Sequence, residues 1–421
     1  MTAQRQRAWL LTGARTAIGS FKKTLRSVPV DKLTQEVIQA CMRRGELSSE
    51  EVEGFVLGHG YQSAYAPNTA RCAALAAGLP STIPAMTVQR QCGSGMEAVN
   101  IAMKDIFLGN GDLYLAGGVE SMSNVPYLLP ANLRYRGPLA KYFPYGPRLV
   151  MGKIADDGLV SGTTVFDTKT AFMSATAQRL ADTYAISRKD ADDYALRSQQ
   201  LAAKARKDGR FKREIEAIVV KGRGVFEDDE HIRETTPEKL ASLRGGMKVN
   251  KTALKLLGLP LPDARTNDIT AGNSSGINDG ACVLALASDK RIEKLSLTPL
   301  AELVDSVVVG VDPDQMGLGP VFAIGALLER NNLGFRDIDL FEINEAFAAQ
   351  YLACEKLLHL DREKVNVNGG AIALGHPIGM SGARLILTLA HELKERGLRR
   401  GIASLCIGGG MGIATLVELH K

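Results

Sequence analysis

Val88-Gln89-Arg90-Gln91-Cys92-Gly93-Ser94-Gly95-Met96 is an apolar strand end, then a thiol among small residues, then the start of an amphipathic helix. Apolar Met96, Val99, Met103 and Phe107 recur at helical spacing as far as about Leu108, and Gly109-Asn110-Gly111 supplies the stop. A thiol at a helix N-terminus faces unpaired N–H groups and the positive end of the dipole, which lower its pKa and favour the nucleophilic thiolate. Taken alone, the stretch fits a buried structural cysteine beside a common turn equally well. A second stretch of the same build bears on the choice. His376 is followed by Gly379, Ser381-Gly382 and a helix expected over residues 383–396. A duplicated unit would bring two helix N-termini together, one half supplying a nucleophile and the other a base.

The rest of the chain agrees with an α/β layered fold. Short apolar runs at 54–58, 112–116 and 281–286 read as buried strands, alternating with helical stretches such as 31–44. The scheme recurs as a helix over 322–331, a strand over 339–343, a helix over 346–358 and a strand over 402–405. Residues 124–263 are different in kind. Pro126, Pro130, Pro138, Pro144 and Pro147 lie among Arg134, Arg136, Lys141 and Arg148, before a helical stretch at 173–206 and the charged run from Phe226 to Arg233.

Further motifs stand in a telling order. They are Leu11-Thr12-Gly13-Ala14-Arg15-Thr16-Ala17-Ile18-Gly19-Ser20-Phe21, Gly117-Gly118-Val119-Glu120-Ser121-Met122-Ser123, Thr270 to Gly280, Asn344-Glu345-Ala346-Phe347, Asn368 to Gly379, and Cys406-Ile407-Gly408-Gly409-Gly410-Met411-Gly412. With Cys92 they resemble the thiolase family, the acyl-CoA C-acyltransferases, from end to end. The resemblance implies a thiolase-like duplicated α/β/α/β/α layered fold of two pseudo-symmetric halves with an inserted loop domain. Its divisions would be an N-terminal half at 1–123, a loop domain over the CoA site at 124–263, a return to the N-terminal half at 264–294, and a C-terminal half at 295–421. The implied reaction is ping-pong acyl transfer through an acyl-cysteine, cleaving a 3-ketoacyl-CoA with CoA or running the reverse Claisen condensation. The rivals are a ketoacyl synthase-like condensing enzyme, which has the same double fold but pairs its cysteine with two histidines or with histidine and asparagine, and an inactive CoA-binding homologue.

This chemistry needs a nucleophile with an adjacent base and a general acid/base beside an oxyanion hole. By resemblance Cys92 carries the acyl group, His376 takes its proton, and Cys406 handles the proton on carbon. Asn344 would hold a water that, with His376, receives the enolate oxygen. The N–H groups of Cys92 and Gly408 would receive the acyl-enzyme oxygen. Ser275 matches the family's pantetheine contact, Arg233 its adenine-nucleotide contact, and Met173 and Phe347 its acyl slot. Among the six histidines, only His59 and His376 lie in glycine-rich turns after strands, and Pro377 biases His376 toward an extended backbone. His59 reads as a histidine simply satisfied in its turn. Phe172 stands where many short-chain members have histidine; with the lengthened stretches at 133–151 and 245–263, it leaves acyl-chain length open.

Composition limits the partners. Against 46 acidic residues the chain has 51 Lys+Arg, a net charge of +5, too mild for a nucleic-acid binder and suited to a polyanionic substrate such as coenzyme A. The six cysteines form no CxxC pair, which argues against zinc and disulfide frameworks. No stretch reads as a membrane span. The expectation is a cytoplasmic homodimer or homotetramer with no permanently bound cofactor and no metal, taking acyl-CoA and CoA as substrates.

Overall fold

The computed structural model describes residues 6–128, 156–157, 173–245 and 268–420. In chain order the main elements are β1 (Ala8–Thr16), α1 (Val30–Arg44), β2 (Gly54–His59), α2 (Thr69–Ala76), β3 (Ala85–Val88), α3 (Ser94–Leu108) and β4 (Leu113–Ser121). Next come α4 (Met173–Thr183), α5 (Arg188–Lys207) and β5 (Asn278–Ser288). The second half holds β6 (Ala301–Gly310), α6 (Gly319–Arg330), β7 (Leu340–Ile343), α7 (Ala348–Leu358), α8 (Ile378–Arg396), β8 (Arg400–Ile407) and β9 (Met411–Glu418).

The strands follow one hydrogen-bonded path, β7-β8-β9-β6-β1-β5-β4-β2-β3. It divides naturally at β1 and β6, which pair only from Ala8↔Leu303 to Leu10↔Ala301. Outward from that seam both directions repeat one pattern. β1 pairs antiparallel with β5, β5 antiparallel with β4, and β4 parallel with β2. Likewise β6 pairs antiparallel with β9, β9 antiparallel with β8, and β8 parallel with β7. The duplication expected from the two small-residue turns is therefore present strand by strand.

Three apolar cores give the layers. Leu33, Val37 and Ile38 of α1 and Ala70 and Ala73 of α2 pack on Phe55, Leu57, Leu115 and Val283. Met96, Val99 and Met103 of α3 and Leu385, Ile386 and Leu389 of α8 share a core with Leu284, Leu405 and Ile413. Ala323, Ile324 and Leu327 of α6 and Tyr351 and Leu352 of α7 cover Phe341, Ile343 and Leu416. Successive strand residues point to opposite faces, so each half-sheet buries one face on the central helix pair and the other on an outer layer. Among the described residues no helix is long and apolar enough to cross a membrane.

The central helices meet at their first turns. A Cβ on Gly95 would lie 2.5 Å from the Gly379 carbonyl oxygen, and one on Gly382 would lie 2.5 Å from the Met96 nitrogen. Only glycine allows that approach. Two helix boundaries differ from expectation. The stretch at 173–206 is broken between α4 and α5, where Ala185 turns left-handed at φ 50° and Ser187 caps α5 by accepting the Asp190 N–H. α8 begins at Ile378, five residues before position 383, because Pro377 at its N-cap already has φ −65°.

Candidate active site

Cys92 lies between β3 and α3, and the residue before it is strained. Gln91 adopts φ 45°, and Ser94 braces the turn: its Oγ donates to the Gln91 carbonyl at 2.6 Å and accepts the Arg90 N–H at 2.8 Å. The backbone N–H groups of Gly408 and of Cys92 itself are near enough to the sulfur to favour its charged form. Gly408 opens the β8–β9 turn, where Gly409 at φ 92° and Gly410 at φ 86° need the freedom of glycine. The helix N-terminus was expected to lower the thiol pKa, and the opposite holds. Although the residue keeps some exposed surface, burial around the sulfur pushes the thiol up to about 11, outweighing both N–H groups, and the nearby Glu120 carboxylate adds to the rise.

His376 sits two residues before the first residue of α8, buried. Its N–H donates to Asn278 Oδ1 at 3.0 Å, and the Asn278 side chain fills the place a Cβ on Gly375 would take. Its Nδ1 lies 2.6 Å from Ser381 Oγ, whose proton goes to the Pro377 carbonyl at 2.9 Å. A hydroxyl has one proton, so the ring must donate from Nδ1. That leaves a lone pair on Nε2, 3.4 Å from the Asn344 amide nitrogen. Burial, helped by the Arg384 charge, pulls the imidazole down to about 3, so it rests neutral. Asn344 itself is buried, with Oδ1 lacking a partner, a suitable acceptor for a water proton.

Cys406 lies one residue before the end of β8, buried in a small apolar cluster with Met316 and Ala346, against which Met173 and Phe347 pack. Burial raises its thiol well above the usual range, and Cys92 is near enough to raise it further. Met173 Sδ would be 3.8 Å from a Cβ on Gly408, so Met173 also borders the oxyanion turn. The Ser275 N–H donates to the Ala346 carbonyl at 3.0 Å, and Ser274 bridges Phe347, which brings the Ser275 loop onto the Asn344-to-Phe347 segment. Arg233 is farther out, donating from Nη2 to the Ala271 carbonyl at 3.3 Å and bordering a cavity with Lys23 and His231. Phe172 lies outside the described residues. His59 is satisfied as expected, by Thr69 Oγ1 at 2.9 Å and the Glu120 carboxylate at 3.3 Å. His391 on α8 is half-buried, and burial pulls its imidazole down to about 4.

Ser381, Asn278, Met316 and Glu120 complete the site without having been assigned parts in it from sequence. Ser381 stood in the small-residue run after His376, and Glu120 and Asn278 stood in motifs that carry the resemblance, without a role read for them. A duplicated layered fold whose central helices present a thiol and a neutral imidazole beside a second thiol and a glycine turn has the parts that acyl transfer through a thiol requires. Comparison with known proteins identifies the family. Residues 9–290 match the family described as "Thiolase, N-terminal domain" and residues 297–419 match "Thiolase, C-terminal domain". The chain is 40% identical over 417 residues to the acetyl-CoA acetyltransferase of Syntrophomonas wolfei, covering 97% of this chain and 98% of that one. The crystal structure of the Bacillus anthracis acetyl-CoA acetyltransferase superposes with a TM-score of 0.88 at 43% identity, covering 98% of this chain and 99% of that one. The human mitochondrial 3-ketoacyl-CoA thiolase in complex with CoA does so at 0.87 and 36% identity, covering 99% and 98%. The chain belongs to the thiolase family and is an acyltransferase.

Proposed function

We propose that Cys92 is the acyl-carrying nucleophile, His376 its base and Cys406 the acid/base for the carbon-bound proton. In cleavage, Cys92 sulfur attacks the 3-keto carbon of a 3-ketoacyl-CoA as His376 Nε2 takes the thiol proton. The bond between that carbon and the α-carbon then breaks. Cys406 protonates the departing carbon, releasing acetyl-CoA, and CoA takes the acyl group from Cys92. Condensation is the reverse. The N–H groups of Cys92 and Gly408 hold the acyl oxygen, and a water on Asn344 with His376 holds the enolate oxygen. Each such donor typically lowers the barrier by about 3 kcal/mol. Ser275 and Arg233 contact CoA, and Met173, Phe347 and Phe172 border the acyl slot. Residues 124–263 act as the loop domain over the CoA groove. The protein works in the cytoplasm as a homo-oligomer without a bound cofactor.

The observation that carries this reading is that the starts of the two central helices meet, with Cys92 just before one and His376 just before the other, and Cys406 near the Cys92 thiol. The human CoA-bound relative supports CoA as substrate. No comparison favours a ketoacyl synthase or an inactive homologue, and Cys406 stands where a synthase would have histidine or asparagine. After incubation with acetyl-CoA the intact mass should rise by one acetyl group, mapped to Cys92 and lost in Cys92→Ser. An acetyl group on Cys406 or Cys72 would overturn the assignment. Comparing thiolysis kcat/KM for acetoacetyl-CoA and a C8 3-ketoacyl-CoA sets the chain length.

A further inference from the structure

Glu120 lies on β4, fully buried, where the two halves meet. Its Oε2 accepts the N–H of Gly60 at 3.0 Å and of Gly379 at 3.1 Å, and its Oε1 accepts the N–H of Tyr61 at 3.2 Å. His59 Nε2 is 3.3 Å from Oε1. The other ring nitrogen of His59 lies 2.9 Å from Thr69 Oγ1. Among the described residues the hydrogen-bonding partners of Glu120 are three backbone N–H groups and one imidazole, and the Asp279 carboxyl on β5 is near enough to be raised by its charge. Gly379 is the second residue of α8, so Glu120 ties the first turn of the His376 helix to strands of the other half. The surroundings are shaped around it. A Cβ on Gly60 would lie 2.7 Å from Oε2, and one on Gly379 would lie 3.0 Å from Oε2 and 2.2 Å from the Val119 carbonyl oxygen.

The charge has a second consequence. α3 and α8 bring their N-termini together, so two positive dipole ends converge beside Cys92. A buried carboxylate at that junction offsets them, and charges interact strongly where water is excluded. Its field also acts on the Cys92 thiol, as noted above.

We propose that Glu120 is a positioning residue for the acyl-transfer reaction, holding the His376 loop in register with Cys92 and placing its charge where the two helix N-termini meet. This role rests on Cys92 and His376 acting as assigned above.

The test compares Glu120→Gln and Glu120→Asp with the wild type. In Glu120→Gln the isosteric amide keeps the volume and loses the charge. The pH midpoint for iodoacetamide alkylation of Cys92 should fall below the wild-type value, and thiolysis kcat should fall by about 10- to 100-fold with KM little changed. Glu120→Asp keeps the charge but shortens the reach, so the midpoint should stay at the wild-type value while kcat falls. A wild-type midpoint in Glu120→Gln would overturn the charge role, and wild-type kcat in either variant would overturn the positioning role. If Glu120→Gln is not recovered folded, Glu120→Asp decides: reduced kcat at an unchanged midpoint supports the proposal, and wild-type kcat overturns it. Acetylation of the wild type by acetyl-CoA separates this from the functional reading. No adduct on wild-type Cys92 sinks that reading, whereas an adduct together with unaltered Glu120 variants sinks only this proposal.

Discussion

At the residue scale the site is a set of neutral groups arranged to move protons. Cys92 rests as a thiol and His376 as an imidazole, because burial disfavours the charged form of each. The direction of transfer is set by Ser381, which holds the ring proton on Nδ1. Ser381→Ala frees the ring to carry its proton on Nε2, where it cannot act as a base. We expect kcat to fall about 10-fold with KM nearly constant, since a positioned base typically contributes at least 100-fold. Unchanged kcat would show that another group sets the tautomer. Cys406→Ala separates the two thiols: Cys92 should still be acetylated, while exchange of the α-protons of acetyl-CoA with deuterated solvent slows at least about 100-fold. Undiminished exchange would move the acid/base role elsewhere, His376 first. Cys92, His376 and Cys406 were picked out because reactive side chains stood beside glycine turns at strand ends, and their roles remain those proposed above. Asn278 and Glu120 were not, since their partners come from distant segments; Asn278 meets His376 across 98 positions. The pKa of Cys92 was misjudged because a sequence displays the helix start but not the burial that outweighs it.

At the element scale a buried carboxylate ties α5 of the middle segment to the site. Glu345, next to Asn344, accepts from Tyr194 at 2.8 Å and Ser198 at 2.7 Å on α5, from Asn366 Nδ2 at 3.1 Å and from the Ile372 N–H at 3.1 Å. A Cβ on Gly370 would collide with it at 2.3 Å. Glu345→Ala would strand these donors in the interior. A loss of about 3 kcal/mol or more in urea unfolding is expected, together with lower kcat as Asn344 loosens. A loss under about 1 kcal/mol would mean that water replaces the carboxylate without cost. Element types were readable from apolar periodicity, and the ends were read less well. Nothing periodic marks the break at Ala185, where a capping serine wins over continuous helical spacing, and the early start of α8 depends on proline being welcome at a helix entrance.

At the scale of the whole molecule, the two ends of the sheet are treated differently. The outer side of β7 is covered, since Phe341 bridges Val365 and its carbonyl accepts the Asn366 N–H at 3.0 Å. β3 occupies the same place in the other half and pairs only with β2 among the described residues. Around it stand exposed apolar groups: Met86 on β3 at 46% exposure, Leu75 on α2 at 47% and Tyr65 at 72%. An open strand edge with apolar neighbours invites pairing with another chain unless charge or proline blocks it. Ala85-Met86-Thr87-Val88 carries neither, and the exposed Asn68 amide, which donates to the Ala85 carbonyl at 3.0 Å, would give way to a strand laid there. A second copy related by a twofold axis can lay its own β3 antiparallel against this edge, covering the same apolar groups on both sides. Light scattering at micromolar concentration should therefore return at least a dimer, and Met86→Arg should shift it toward monomer. The Cys92 turn begins where β3 ends, so losing the edge partner should loosen Gln91 and Ser94 and lower kcat along with the dimer fraction. A stable monomer with full thiolysis activity would show that β3 is finished as it stands and that the catalytic turn needs no support from a second chain.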